Sequence, residues 1–510
     1  MTKYSDLEYL KLSKIHKILY KIACFFIGIP AWFVNLGKTI GKKFKNFGIK
    51  VKDNFVDIYK TFKEGDYKTR VSFVIMGFGS FARKQYLRGA IFLLFEIIFI
   101  VYMSLWGGYW ISMLPSLGKQ GPETNVYDPV YDAYVTIYHD DSFKILLYGI
   151  LSLFFIVAFI YTWRINVKQN RISQEILATG KPLKSSKDDL HSLIDDQFHK
   201  TLLALPMTGI MVFTVMPIVF MILVAFTNYD GSHDGYFNNL FTWVGLDNFN
   251  KLLNISSGSG AMAATFGEVL AWTLIWAFFA TFTNYFLGMF VAMMINKKGI
   301  RFKKVWRTAL IMTIAIPQFI SLLYVSKMFS NEGIINGLLV DLGWISKPLP
   351  FWTDPTWARA MVIIINIWIG IPYLMLIATG ILMNIPQDLY ESARIDGANA
   401  FQQYTKITLP YMLFVTGPYL LTSFISNMNN FNVIYLLNAG GPTNTSGTTA
   451  GGTVGHTDLL ITWLFKITTG AEAQYNMAAV IAIMVFAVVS VISLIVYGLL
   501  PSTRNEEDFQ

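Results

Sequence analysis

The chain has 510 residues, of which 54% are apolar, 16% aromatic and 14% charged, whereas average soluble domains carry about 25% charged residues. Several segments contain the ~20 mostly apolar residues that a helix needs to cross a bilayer, which excludes a soluble multidomain protein. The net charge of +9 lies mainly in the N-terminal arm and in alternate loops, a distribution typical of membrane orientation signals and not of nucleic-acid binding. Cys24 is the only cysteine, so an internal disulfide and a cysteine metal cluster are excluded.

The first predicted domain, residues 1–85, is a long basic arm. It begins with an apolar stripe at helical spacing, formed by Ile15, Leu19, Ile22 and Phe26 with lysines between them. This pattern predicts an interfacial helix attracted by the anionic head groups of membrane lipids. A ninth span near residues 18–36 is the alternative, disfavoured because Lys21 interrupts it and a further lysine cluster follows.

Eight apolar segments after the arm predict an all-α membrane protein, a polytopic bundle of eight transmembrane helices. They cover residues 86–114, 145–163, 202–227, 266–295, 306–329, 358–383, 411–428 and 477–500. With both termini in the cytoplasm, 34 of the 41 basic residues lie inside, as the positive-inside rule requires. The remaining predicted domains are a helix pair in 86–201, a six-helix core in 202–500 and a cytoplasmic tail in 501–510. The outer segment 439–457, rich in Gly, Thr and Ser, is expected to be a mobile loop.

Signatures of catalysis are missing from the sequence, and no catalytic or metal-binding residue is predicted. It has no Gly-x-x-x-x-Gly-Lys-Ser/Thr phosphate loop, no His-Glu-x-x-His pair and no Gly-x-Ser-x-Gly elbow. Glu96 is the most conspicuous ionisable residue within a predicted span. Such a residue is costly unless it is paired or faces water, so we expect a local structural partner, with proton coupling as the less favoured alternative. Glu268, near the outer end of its span, is expected to reach water.

The loop between the sixth and seventh predicted spans, residues 386–410, lies in the cytoplasm by the charge count. Its pattern predicts a short helix, an Asp396-Gly397 turn, and a second short helix that stops before Pro410. Four apolar positions would form a face suited to a protein groove: Leu389, Ala393, Phe401 and Tyr404. A plain amphipathic connector fits the same pattern equally well.

Two spans carry neutral polar residues along one face. Asn366, Gly370 and Tyr373 recur at i, i+4 and i+7 in the sixth span. The seventh repeats that spacing with Ser423, Asn427 and Asn430. Such faces predict a pore that hydrogen-bonds an uncharged polyol. The alternative is interhelical hydrogen bonding, worth ~0.6 kcal/mol for each bond, and spacing alone favours it.

The loop resembles the EAA motif of binding-protein-dependent ABC importers, which reads Glu-Ala-Ala, then Gly, then Ile-x-Leu-Pro. Glu391, Ala393, Gly397, Ile407, Leu409 and Pro410 fall in register, and Ser392 replaces the first Ala. The resemblance implies a coupling helix seated in a separate ATPase subunit, with Glu391 and Gly397 at the contact. The implied coupling set is Glu391, Ser392, Ala393, Asp396, Gly397, Ala398, Ile407, Leu409 and Pro410.

From about Trp306 onward the chain resembles the MalF-type larger membrane subunits of maltose/maltodextrin importers. The resembling runs are residues 366–373, 429–431, 440–442 and 457–460. The resemblance implies a sugar site made of Asn366, Gly370, Tyr373, Ser423, Asn427 and Asn430. The chain departs from the best-known member at Ile314 and Gln318, which leaves the exact sugar open. Its outer loop 228–265 is also too short for that member's large extracytoplasmic domain.

These resemblances imply a permease subunit of an ABC importer for maltodextrin-type oligosaccharides in a bacterial cell membrane. The implied partners are a second, MalG-like permease, an ATPase dimer, an extracytoplasmic sugar-binding protein and membrane lipid, with no nucleic acid. The chain itself is expected to bind no cofactor, since ATP and Mg would be used by the ATPase subunits. An importer of galacto- or other plant oligosaccharides is the alternative, and a proton-coupled secondary transporter is a remote one.

Overall fold

A computed structural model describes residues 14–128, 132–233, 239–253, 260–297, 299–444 and 454–499. They fall into two compact units. The first contains the chain up to Pro115 together with Lys144–Pro217, and the second contains Ser116–Phe143 and the chain from Ile218 onward. The domain boundaries expected from the sequence stay a prediction.

The helices that begin before residue 217 include two interrupted by single π-helical turns. In chain order they are α1 (Lys14–Glu64), α2 (Tyr67–Val71), α3 (Phe78–Ala82), α4 (Tyr86–Tyr102), a π-turn (Met103–Gly107), α5 (Gly108–Met113), α6 (Ser142–Ala178), α7 (Ser186–Ile194), α8 (Phe198–Ile210), a π-turn (Met211–Val215) and α9 (Met216–Val224). α1 covers the predicted interfacial helix. The side chains of residues 14–36, on which that prediction rests, lie outside the described residues.

The remaining helices belong to the second unit. They are a 3₁₀ turn (Gly231–His233), α10 (Asp247–Leu253), α11 (Gly260–Asn296), α12 (Lys303–Ala315), α13 (Gln318–Met328), α14 (Ile334–Asp341), α15 (Pro355–Leu382), α16 (Gln387–Ile395), α17 (Ala400–Gln403), a π-turn (Tyr404–Thr408), α18 (Leu409–Met428), α19 (Phe431–Asn438), α20 (Leu460–Thr469) and α21 (Tyr475–Leu499).

Seven helical segments in the described chain are long and apolar enough to cross a membrane, and the bent pair α12–α13 makes an eighth candidate. The predicted bundle of eight spans is confirmed in this sense, while the orientation of the termini stays a prediction. The expectation of one continuous fifth span, 306–329, is wrong, because α12 and α13 meet at 92°. Pro317 has no N–H and forces Ile316 into an extended conformation (φ −81°, ψ 126°), which ends the helix.

Two strands interrupt the expected all-α pattern. β1 (Gln120–Asp128) pairs antiparallel with β2 (Ala133–His139), and the register joins Thr124 to Ile137 and Asp128 to Ala133. β2 reads Ala-Tyr-Val-Thr-Ile-Tyr-His, a run of β-branched and aromatic residues that favours a strand. No strand was predicted between the first two spans, so the hairpin is an addition to the expected bundle of helices.

Glu96 in α4 has the local partner that the sequence predicted. The carboxylate is buried, and its Oε2 accepts the N–H of Met76 at 2.8 Å. In the same turn the N–H of Gly77 donates to Asn166 Oδ1 at 3.1 Å. The Nδ2 of Asn166 donates to the carbonyl of Ser72 at 2.9 Å. These bonds satisfy backbone groups of the segment between α2 and α3, which is a structural role for Glu96.

The core of the second unit lies where α11 crosses α15. The helices approach closely because Gly288 leaves room for Leu374: a Cβ at position 288 would lie 2.7 Å from the Leu374 Cβ. One apolar cluster at the crossing contains Tyr285, Met289 and Met375. A second contains Trp272, Trp276, Leu322, Met361, Ile365, Val433 and Leu437. Together they fix the helices from which the site described below is built.

The predicted mobile loop 439–457 is held in place at both described ends, while residues 445–453 lie outside the described part. The N–H of Asn444 donates to the Val454 carbonyl at 2.7 Å, and the N–H of Thr457 donates to the Gly440 carbonyl at 3.1 Å. The Nδ2 of Asn444 also donates to the half-exposed Glu268 at 3.1 Å. Composition alone could not reveal these pairings, because each depends on a residue brought back by the fold.

A buried ion pair stabilises the same region. Asp458 is fully buried and accepts hydrogen bonds from the Gly455 N–H (2.7 Å), the Thr462 hydroxyl (2.9 Å) and the Lys466 ammonium (2.6 Å). Burial raises the pKa of the Asp458 carboxyl above its ordinary value, and Lys466 opposes that rise. Lys466 is therefore the counter-ion of a buried carboxyl group, and its charge offsets part of the cost of burial.

We expect Lys466→Met to lower the thermal stability of the purified protein in detergent. Removing one partner of a buried ion pair costs about 3–5 kcal/mol when the other charge remains. The loss should be larger at about pH 8 than at about pH 5, because a carboxyl whose folded pKa is raised destabilises the fold as it ionises. Lys347→Met, at an exposed lysine, is the control. An equal melting temperature for the two variants at both pH values would contradict the assignment.

Candidate functional site

A cavity of about 510 Å³ lies within the second unit, between α11, the break that joins α12 to α13, α15 and α18. Its described lining mixes neutral polar groups with apolar ones. The polar side chains are Asn284, Thr313, Gln318, Ser321, Asn366, Tyr373, Tyr419, Ser423 and Asn427. None of these described side chains is a carboxylate, an ammonium or a guanidinium group. The cavity can therefore hydrogen-bond a solute without requiring it to carry charge.

The break between α12 and α13 forms one wall of the cavity, through Ile316, Pro317 and Gln318. Because Pro317 has no N–H, it cannot donate the i→i−4 hydrogen bond that the carbonyl of Thr313 would accept in a continuous helix. Thr313 also lines the cavity. Irregular backbone at membrane depth is tolerated where it faces protein or a water-filled space. The break thus adds backbone polarity to the cavity wall.

Five of the six residues expected at the sugar site line this cavity: Asn366, Gly370, Tyr373, Ser423 and Asn427. The sixth, Asn430, lies outside the lining. Its Oδ1 accepts the N–H of Val433 at 3.3 Å, and it is the N-cap of α19. Asn430 continued the helical spacing of Ser423 and Asn427 in the sequence. That spacing does not apply to it in the structure, because α18 ends at Met428.

Asn427 also makes the interhelical contacts that were the alternative to a pore. Its Nδ2 donates to the Thr281 hydroxyl at 3.0 Å, and its backbone carbonyl accepts from Trp276 Nε1 at 3.0 Å. Tyr419 and Ser423 lie one turn apart on α18, and both line the cavity. Polar residues on this face therefore join the helices and line the cavity at the same time.

Sequence reasoning missed four polar lining residues, Asn284, Thr313, Ser321 and Tyr419. Tyr419 continues the spacing of Ser423 and Asn427 one turn earlier, so the pattern could have included it. Asn284 is an amide in the middle of a long apolar helix, which is a signal of its own. Ser321 gave no signal, because only the bend at Pro317 turns it toward the cavity.

A second candidate site is the loop predicted to couple to another protein. α16 ends in a Schellman motif, in which the N–H of Gly397 donates to the Arg394 carbonyl (3.0 Å) and that of Ala398 donates to the Ala393 carbonyl (2.8 Å). Gly397 has φ +76°, a conformation that glycine adopts at little cost. Asn399 then caps α17. The expected helix–turn–helix geometry is confirmed.

The loop presents an exposed surface. Glu391, Ser392, Asp396, Gly397 and Pro410 are exposed, while Ala393, Ala398, Ile407 and Leu409 are partly buried. Of the predicted apolar face, Leu389 and Phe401 are exposed, whereas Ala393 and Tyr404 are partly buried. Ile395, 87% exposed, was missed, and Phe401 is 72% exposed. Two such residues beside one turn suit a protein partner.

The loop is attached firmly to α18. The Tyr390 hydroxyl lies 2.9 Å from the Thr408 hydroxyl, and Tyr404 and Leu409 pack against the core cluster of α11 and α15. The second short helix does not stop before Pro410 as predicted, but continues through the π-turn into α18. Pro410 lies in the first turn of α18, where a missing N–H is tolerated.

Comparison with known proteins identifies the family. Residues 284–505 match the model of "Binding-protein-dependent transport system inner membrane component". The maltodextrin transport system permease protein MalC of Streptococcus pneumoniae is 34% identical over 456 residues, which cover 87% of this chain and 98% of MalC. The chain therefore belongs to the binding-protein-dependent transport permeases, the multi-pass cell-membrane subunits of ABC importers.

Two further relatives bear on the MalF-type resemblance and on the substrate. The galactooligosaccharides transport system permease protein GanP of Bacillus subtilis is 34% identical and covers 82% of this chain and 94% of GanP. The maltose/maltodextrin permease MalF of Escherichia coli is 38% identical over 233 residues, which are 45% of this chain and 44% of MalF. The resemblance to MalF-type permeases is confirmed.

Proposed function

We propose that this chain is one of two permease subunits through which an ABC importer carries maltodextrin-type oligosaccharides into the cell. The observation that carries the proposal is the cavity lined by amides and hydroxyls, without a charged side chain in its described lining. An uncharged sugar offers many hydroxyls that both donate and accept hydrogen bonds, which is what such a lining recognises. Five positions carried over from the MalF-type family lie in that lining.

The substrate choice between maltodextrins and galacto-oligosaccharides rests on the relatives and on the cavity wall. MalC and MalF are named for maltodextrin or maltose transport, which supports maltodextrin-type oligosaccharides as the substrate. GanP is named for galactooligosaccharides and supports the alternative. Ile314 and Gln318, the two departures from the best-known member, both line the cavity. They are the positions at which preference between the two sugars would be set.

The exposed loop supports a coupling role. Its Glu391 and the turn at Gly397 are accessible, and Ile395 and Phe401 extend from either side of that turn. We propose that the loop is seated in an ATPase subunit, that a MalG-like permease and a sugar-binding protein complete the importer, and that ATP with Mg is hydrolysed by the ATPase pair. Movement of the loop would reach α18 through the Tyr390–Thr408 contact.

The basic arm is proposed to lie against the cytoplasmic membrane surface, with both termini inside. Beyond the predicted interfacial segment, α1 exposes Phe44 (72%), Phe47 (66%) and Phe55 (68%), which share one helical face. The flanking lysines are Lys38, Lys42, Lys43, Lys45, Lys50, Lys52, Lys60 and Lys63. Aromatic residues on one side and lysines beside them match an anionic lipid surface.

The test of the function is uptake of labelled maltotriose by cells that contain the proposed partners, with and without this chain. Uptake should require the chain and should resist competition by excess galacto-oligosaccharide. Asn427→Leu should lower transport efficiency about five- to tenfold through loss of hydrogen bonding in the cavity. Asn429→Leu is the matched control, because that asparagine lies outside the cavity lining. Unchanged initial rates for Asn427→Leu at limiting and saturating sugar would reject the cavity as the sugar path.

We expect Gly397→Pro to abolish most sugar uptake and the sugar-stimulated ATPase activity while membrane insertion remains normal. Proline fixes φ near −65°, which is incompatible with the +76° found here. Gly343→Pro is the control, since Gly343 has φ +71° in an exposed turn and its N–H is also bonded within that turn. Normal uptake by Gly397→Pro would refute the coupling assignment.

The contact between the arm and the membrane is tested in a variant that lacks the native cysteine, Cys24→Ser. An environment-sensitive fluorophore is attached to a new cysteine, either Phe47→Cys on the aromatic face or Lys45→Cys on the other face. In nanodiscs with anionic lipid the probe at 47 should emit as in an apolar environment and the probe at 45 as in water. Zwitterionic lipid or high salt should remove the difference, because the attraction is electrostatic. Identical emission of both probes in anionic nanodiscs would exclude the proposed surface contact.

A further inference from the structure

Two buried asparagines in the cavity wall have hydrogen-bonding groups that are not used within the protein. Asn284 in α11 and Asn366 in α15 are each 6% exposed, and both line the cavity. Among the described residues, neither Asn284 Oδ1 nor Asn366 Nδ2 has a hydrogen-bond partner. The Nδ2 of Asn284 is 3.5 Å from the backbone carbonyl of Asn366. The unused acceptor and the unused donor therefore belong to two neighbouring residues of the cavity wall.

Buried polar groups in native proteins are almost always paired, so two neighbouring exceptions need an explanation. A hydroxyl group satisfies both at once, because it donates one hydrogen bond and accepts others. An ion would satisfy only one of them. The arrangement thus fits a neutral, hydroxyl-rich solute, the class of solute already proposed for this cavity.

Gly370 explains how Asn284 reaches the wall. A Cβ at position 370 would lie 2.3 Å from Asn284 Nδ2 and 2.7 Å from its Cγ, well inside van der Waals contact. Any side chain at 370 would therefore displace the Asn284 amide. The family resemblance lists Gly370 with the sugar contacts, whereas the geometry gives it a positioning role exerted through Asn284.

We propose that Asn284 is a sugar-contacting, specificity-determining residue of this permease. Its Oδ1 accepts a hydrogen bond from one sugar hydroxyl, and the same hydroxyl accepts a hydrogen bond from Asn366 Nδ2. Gly370 is the positioning residue that holds the Asn284 amide at the wall. The inference rests on the proposed function, since it takes the cavity to be the sugar path.

The experiment compares maltotriose with its monodeoxy analogues in proteoliposomes that contain the complete importer. For the wild type, removing the one hydroxyl that bridges the two amides should lower transport efficiency about five- to tenfold. Asn284→Ala should lower efficiency for maltotriose by a similar factor, with no further loss for that analogue. Such non-additivity identifies a shared interaction. Thr283→Ala is the control, because the Thr283 hydroxyl bonds to the carbonyl of Phe279 in its own helix.

Two further variants separate contact from packing. Gly370→Ala should lower sugar efficiency and the melting temperature, and adding Asn284→Ala should restore the melting temperature but not the efficiency. If Asn284→Ala does not assemble, Asn284→Ser is compared with the same analogues. If the wild-type importer transports maltotriose but the losses from Asn284→Ala and from removing a hydroxyl add for every analogue, the proposed role of Asn284 is wrong and the proposed function stands. Failure of the wild-type importer to transport any of these sugars would instead overturn the proposed function.

Discussion

The close crossing of α11 and α15 is the constraint on which the site depends. Gly288 lets the backbone near Leu374 approach, and Gly370 makes room for the Asn284 amide one turn earlier along both helices. Within a membrane, helices associate through such close packing, because lipid is as apolar as the side chains it would replace. With this pair fixed, α18 and the α12–α13 break complete the walls around the cavity.

The polarity of the cavity follows from what a membrane interior tolerates. Amides and hydroxyls are tolerated there when they are hydrogen-bonded between helices, as Asn427 is to Thr281. An unpaired charge, in contrast, is costly. The break at Pro317 adds backbone polarity without adding charge. A neutral wall of this kind can release a sugar as readily as it binds one, since no single contact is strong.

Much of the second unit could be predicted from the sequence. Hydropathy indicates which segments cross the membrane, and helical spacing indicates which residues share one face of a helix. Helical spacing picked out Asn366, Ser423 and Asn427, although spacing alone favoured interhelical hydrogen bonding and the family resemblance supplied the sugar site. Spacing failed at Asn430, where the helix had ended, and composition failed for the loop beside Asp458, whose partners come from elsewhere in the fold. Asn284 in the middle of an apolar helix was a signal of its own, but its contact with Gly370 could not be seen, because the two positions lie far apart along the chain.

The complementary sizes of residues 284 and 370 have an evolutionary consequence. A methyl group at 370 would displace the Asn284 amide, so a change at one position alters which side chains suit the other. Related permeases should therefore show paired states, asparagine with glycine or a small residue with alanine, and seldom the mixed pair. Divergence in sugar preference at this wall would then proceed by coupled steps, with the two positions inherited as a unit.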